Sequence, residues 1–183
     1  MAREVRLLLT GAIAMFIVAA AVAAIVALSG LYNVAADAPH FEATKALIAG
    51  IRERSVESRL GGINVPPLAD AHMIADGASD YDAMCTACHL APGMGENEMR
   101  PGMNPKPPIL WKMRNTDPRE QFWIIKHGIK MTGMPAWGVT HNDAEIWNMV
   151  AFLQKLPSLS SAQYKAIVMA GGTHHDHDHM DMH

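Results

Sequence analysis

The sequence predicts an all-α protein, a small helical domain preceded by a transmembrane helix and a stalk helix. Three observations carry that expectation. No residue from Leu7 to Tyr32 is charged. Later segments begin and end with helix-capping chemistry. No segment alternates apolar and polar residues as a half-buried strand would. A chain of 183 residues holds one domain plus extensions rather than two large domains. The net charge of −3 with neutral histidines, and the lack of a Lys/Arg run, exclude a nucleic-acid binder. Two cysteines allow one disulfide at most and exclude a disulfide scaffold.

The elements follow in chain order. Residues 1–6 carry Arg3 and Arg6 and form a cytoplasmic N-terminus. Residues 7–32 are long enough at helical rise to cross a bilayer core of about 30 Å. A cleaved signal peptide is the competing reading, with Ala35, Ala36 and Ala38 as small-residue sites, but its apolar region would be about 7–15 residues. Length favours a retained anchor. The arginines before it orient the rest of the chain outward, to the periplasmic side of an inner membrane. Residues 33–69 form a linker and a stalk helix, from about Phe41 to Leu60, closed by Gly61-Gly62 and Pro66-Pro67.

The domain proper spans 70–165. Its first helix starts near Asp70 or Asp76 and runs into the cysteines. A loop rich in proline and glycine follows, from Ala91 to Pro108. Asp117 caps a short helix with Pro118 at its first position. Then comes the glycine-rich GIKMTGMPAWG, and a last helix, DAEIWNMVAFLQKL, capped by Asn142 or Asp143 and closed by Pro157. Residues 166–183 form a disordered tail rich in His, Asp and Met.

Both cysteines lie in YDAMCTACH, residues 81–89. A redox Cys-x-x-Cys needs a strand–helix–strand setting, and no strand is expected. Structural zinc needs four ligands, whereas Cys85, Cys88 and His89 supply three. Cys-x-x-Cys-His is the pattern of covalent haem attachment: two thiols on one helical turn meet the two vinyl groups, and the next residue offers an imidazole to the iron.

Gly77-x-x-x-Tyr81-x-x-x-Cys85-x-x-Cys88-His89, then GIKMTGMPAWG, then DAEIWNMVAFLQKLP resembles the class I cytochrome c family over about residues 70–160. The whole chain resembles the membrane-anchored, single-haem bacterial members. The resemblance implies a first helix that ends in the haem motif and crosses the last helix, with Gly77 and Tyr81 on one side of the crossing and Trp147 or Phe152 on the other. It implies haem c, with His89 and Met134 as axial ligands of the iron. Met131 and His127 are the rival sixth ligands. It also implies that a carbonyl of the Pro107-Pro108 segment orients His89. Trp111 and Trp137 either bond haem propionates through their indole N–H groups or belong to the core.

Seven basic residues between Arg100 and Lys130 (Arg100, Lys106, Lys112, Arg114, Arg119, Lys126, Lys130) face two acidic ones, Asp117 and Glu120. Such a rim near the haem edge would steer docking, or it is a solvated surface with chance clustering. The tail's His174, His175, His177, His179 and His183 stand among aspartates and methionines, a donor set suited to copper or zinc; otherwise the tail is a solvated extension.

The function expected is electron transfer rather than catalysis, alone or as a subunit of an oxidoreductase complex. The partners expected are membrane redox enzymes such as a quinol-oxidising complex, a dehydrogenase or a terminal oxidase. Two alternatives stay open: a haem sensor or catalyst with a displaceable sixth ligand, and a metal-handling protein acting through its tail.

Overall fold

The computed structural model describes residues 2–171, and no strand occurs among them. The chain divides after Ala38 into two units. The first is dominated by α1, Ala2–Leu28, which has no buried residue. By length and composition it can cross a membrane, as a signal sequence also could. It stops at Leu28, four residues before the expected end at Tyr32; Gly30 then adopts a φ of +68°.

The second unit opens with α2, Glu42–Glu57, the expected stalk helix. It is not a free spacer, because it meets α5 and buries Val56. Ile63 and Leu68, in the linker beyond it, pack against the hydrophobic core. The short apolar stripe of Leu47, Ile48 and Ile51 stays exposed.

The core is a crossing of three helices. In α3, Ala71–Met84, Asp70 caps the start: its Oδ1 accepts from the N–H of His72 (2.7 Å) and of Met73 (3.2 Å). These two bonds hold the Asp70 carboxyl below its usual pKa. The short helix α4, Thr86–His89, follows. In α5, Pro118–His127, Asp117 accepts from Arg119 N at 2.9 Å. In α6, Asp143–Lys155, Asn142 and Glu145 form a reciprocal capping box: Asn142 Oδ1 accepts from Glu145 N (3.1 Å), and Glu145 Oε2 accepts from Asn142 N (2.7 Å). The inner face of α6 carries Ile146, Met149, Val150, Phe152 and Leu153, all buried.

Helix α3 crosses α6 at Gly77. A methyl group there would lie 2.0 Å from the backbone oxygen of Asn148. One turn later, the Tyr81 and Phe152 rings meet at 5.4 Å, tilted by 52°. Trp147 turns to the other side and stacks on Phe122 of α5 at 4.2 Å. Of the two aromatics expected opposite α3, Phe152 is therefore the one that meets Tyr81.

A helix absent from the sequence expectation completes the core. α7, Ser161–Gly171, lies against α3. Tyr164 is buried and donates its hydroxyl to Asp82 Oδ1 at 2.6 Å. Gly171 is pressed against α3, where a Cβ would meet Ala75 O at 2.1 Å. The expected division between domain and tail at residue 165 thus runs through a packed helix: residues 166–171 are helical and belong to the domain. The physical reason is Tyr164, Ile167, Val168 and Gly171, which recur at helical spacing and bury one face against α3. The tail histidines His174, His175, His177, His179 and His183 lie outside the described residues.

Candidate functional site

The α3 helix ends at Met84 and the chain enters α4 through Cys85, so both thiols and His89 sit on one compact turn. Cys85 and Cys88 are free, and each is half-buried. Burial pushes the Cys85 thiol up to about 12, and the nearby Asp80 and Cys88 add to the shift. Cys85 is thus a neutral thiol at neutral pH, not the stabilised thiolate of a redox pair. The Sγ of Cys88 lies 3.8 Å from Met99 Sδ.

His89 is oriented from outside its own helix. Its Nδ1 lies 2.8 Å from the carbonyl oxygen of Pro108. A carbonyl only accepts, so Nδ1 carries the proton and Nε2 keeps its lone pair. Burial lowers the His89 pKa; the Pro108 bond opposes the shift and the Arg100 charge reinforces it. The imidazole is therefore neutral and held in the tautomer that a metal ligand requires.

The turn is braced from within as well. Tyr81 is buried and donates its hydroxyl to Leu90 O at 2.6 Å. Leu90 takes a φ of 60°, which turns the chain out of α4 into the proline-rich loop. Burial raises the Tyr81 pKa, so the donor stays protonated.

The loop between α5 and α6 carries the methionine candidates. Gly128 ends α5 with a φ of +63°, and a Cβ there would lie 2.7 Å from Met134 O. Ile129 N donates to Met134 O at 3.2 Å, and Met134 N donates to Thr132 Oγ1 at 3.1 Å. Within this closed loop the two methionine candidates separate. Met134 is half-buried and packs against the core, whereas Met131 takes a φ of 58° and is 100% exposed. Met103 reaches the same loop, its Cε 2.5 Å from where a Cβ on Gly133 would stand. His127 is exposed, with its ring 4.9 Å from that of Trp123.

Trp111 and Trp137 both pack against the core. Trp137 meets the His141 ring edge-on at 5.4 Å. Trp111 differs in one respect: among the described residues, its Nε1 is the buried side-chain polar atom left without a partner. A buried N–H without an acceptor is costly. It needs an acceptor from outside the chain, and a haem propionate would be one. Two free thiols and a neutral, oriented imidazole on one turn are the groups that covalent attachment of a haem requires.

The basic rim is thinner than expected. Arg100 is 1% exposed and cannot belong to it. Lys106 is paired with Glu96, Arg119 with Asp117, and Lys126 with Asp143. The sequence placed Arg100 on the rim and passed over Asn97, three residues before it; both instead bond carbonyls of α4. Their only signal is an Asn-x-x-Arg placed eight residues after the histidine, in a loop with no periodicity.

Residues 72–153 match the family model described as Cytochrome C oxidase, cbb3-type, subunit III. No curated protein and no solved structure matches the chain.

Proposed function

We propose that this chain, whose residues 72–153 form a class I c-type cytochrome domain, is a single-haem electron carrier tethered to the inner membrane, with its domain in the periplasm. The observation that carries the reading is the committed Nδ1 of His89, bonded to Pro108 and leaving Nε2 for iron beside two free thiols. Haem bound here would supply a one-electron Fe(II)/Fe(III) couple. Cys85 and Cys88 would hold it through thioether bonds, and His89 and Met134 would ligate its iron. The core packing of Met134, against the full exposure of Met131, supports that choice. Trp111 and Trp137 would border it, and Trp111 Nε1 would donate to a propionate. The tether is α1, and its apolar length supports retention.

The domain's partners are redox complexes. The family description names a subunit of a cytochrome c oxidase, and this favours a terminal oxidase as acceptor, with a quinol-oxidising complex or a dehydrogenase as donor. The test is optical. The oxidised protein is expected to show a methionine-to-iron charge-transfer band that is lost in Met134→Ala. A wild-type protein that lacks the band and binds carbon monoxide readily would instead be a sensor or catalyst with an open sixth position.

The His/Asp/Met composition of the tail supports a second role, binding of copper or zinc by His174, His175, His177, His179 and His183. Calorimetric titration of both metals into the intact protein and into a form lacking residues 173–183 decides it. Binding is expected only to the intact protein, and equal binding by both rules the tail out.

A further inference from the structure

The proline-rich loop carries a charge that the electron-transfer reading leaves unexplained. Arg100 is 1% exposed, the least accessible charged side chain among the described residues. Its Nη1 donates to the carbonyl oxygen of Cys88 and, at 3.1 Å, to that of Pro107. Its Nε donates to Glu96 Oε2 at 3.1 Å. Asn97 completes the arrangement. Its Nδ2 donates to Ala87 O at 2.6 Å, while its Oδ1 accepts from the N–H of Met99 and of Arg100, both at 3.1 Å.

The geometry has a direct meaning for His89. The carbonyls of Ala87 and Cys88 stand at the end of α4, where no further helical turn can supply donors. Asn97 and Arg100 supply them. The same guanidinium holds Pro107, the residue before the one whose carbonyl orients His89. One guanidinium nitrogen therefore joins the peptide that precedes His89 to the segment that aims its ring, while Nε of the same group holds Glu96.

The charge has a second consequence. Glu96 is shared: its Oε1 pairs with Lys106 at 2.9 Å while Oε2 pairs with Arg100. The carboxylate is half-exposed, so water screens it; Arg100 is buried and is screened far less. One solvated acid thus faces two cations, and the buried cation keeps a net positive field beside His89.

We propose that Arg100 is a positioning residue of the haem site: it clamps the Cys88 and Pro107 carbonyls on either side of His89 and raises the reduction potential through its buried, incompletely compensated charge. A positive charge beside the ligand favours Fe(II) over Fe(III), which carries one more positive charge. The inference rests on His89 being an axial ligand.

The test is spectroelectrochemical titration of the haem-loaded, full-length protein. Arg100→Gln keeps an amide donor and removes the charge. At a fixed applied potential, the Fe(II)/Fe(III) ratio is expected to fall at least threefold, about 28 mV at 59 mV per tenfold for one electron. Lys106→Gln, which removes the exposed cation on the same carboxylate, is expected to shift the ratio less than Arg100→Gln does. A change below threefold in Arg100→Gln, or an equal shift in Lys106→Gln, overturns the proposal. If Arg100→Gln does not accumulate with haem, Glu96→Gln decides. It keeps the clamp and the buried charge and removes only the screened acid, so the ratio is expected to hold or rise; a lower ratio overturns the proposal. Failure of the axial assignment would look different, because the parent protein would then lack a six-coordinate, low-spin spectrum.

Discussion

Gly77→Ala is expected to destabilise the domain by about 2 kcal/mol or more. The added methyl would stand 2.0 Å from Asn148 O and 2.8 Å from Met149 N. These are backbone atoms of α6, so no side chain can rotate away and one helix must shift. Overpacking of this kind costs about 3 kcal/mol at the upper end of its usual range. The better helix propensity of alanine returns only about 1 kcal/mol. For a domain of roughly 100 residues, the net loss lowers Tm by roughly 8–16 °C. Gly50→Ala is the matched control. It lies inside α2 with nothing within 4 Å of a Cβ, and it is expected to leave Tm unchanged or raise it. Thermal unfolding of the two haem-loaded variants checks both. A Gly77→Ala domain as stable as its parent would show that α3 and α6 do not depend on this close approach.

The second large effect is expected from Cys85→Ala combined with Cys88→Ala. Intact-mass spectrometry should show a chain without the added mass of haem, and circular dichroism should show a large loss of helical signal. The reason is the size of the core. Its buried aromatics are Tyr81, Phe122, Phe152 and Tyr164, few for four packed helices. Trp111, Met134 and Trp137 remain only half-buried against it. A core with so few large side chains gains much from an apolar body that completes its interior. Retention of covalent haem by the double variant would refute attachment through these two sulfurs.

Much of the site was legible in the one-dimensional pattern because the chemistry is local. Cys85, Cys88 and His89 must share a turn, so their spacing carries the message. The caps at Asp70, Asp117 and Asn142 act within three residues and could be read the same way. The identity of the aromatic opposite Tyr81 could not. Trp147 and Phe152 both lie on α6, and only the rotation of that helix against α3 and α5 sends Trp147 to Phe122 and Phe152 to Tyr81. α7 had a readable start, since Ser160 Oγ accepts from Gln163 N at 3.3 Å and Gln163 Oε1 accepts from Ser160 N at 2.9 Å. Its small and mixed residues hid the amphipathic face.

The sequence by itself determined that the chain is helical, that it begins with a segment long enough to cross a bilayer, and that it carries a Cys-x-x-Cys-His turn. Each follows from composition or from spacing within a few residues, where backbone geometry leaves little choice. Only the tertiary structure separated Met134, packed against the core, from Met131, three positions earlier and fully exposed. It also moved Arg100 from an expected surface rim to the interior. A charge is buried only where acceptors converge on it, and the convergence of the Cys88 and Pro107 carbonyls on one guanidinium is a property of the folded loop, which no local pattern encodes.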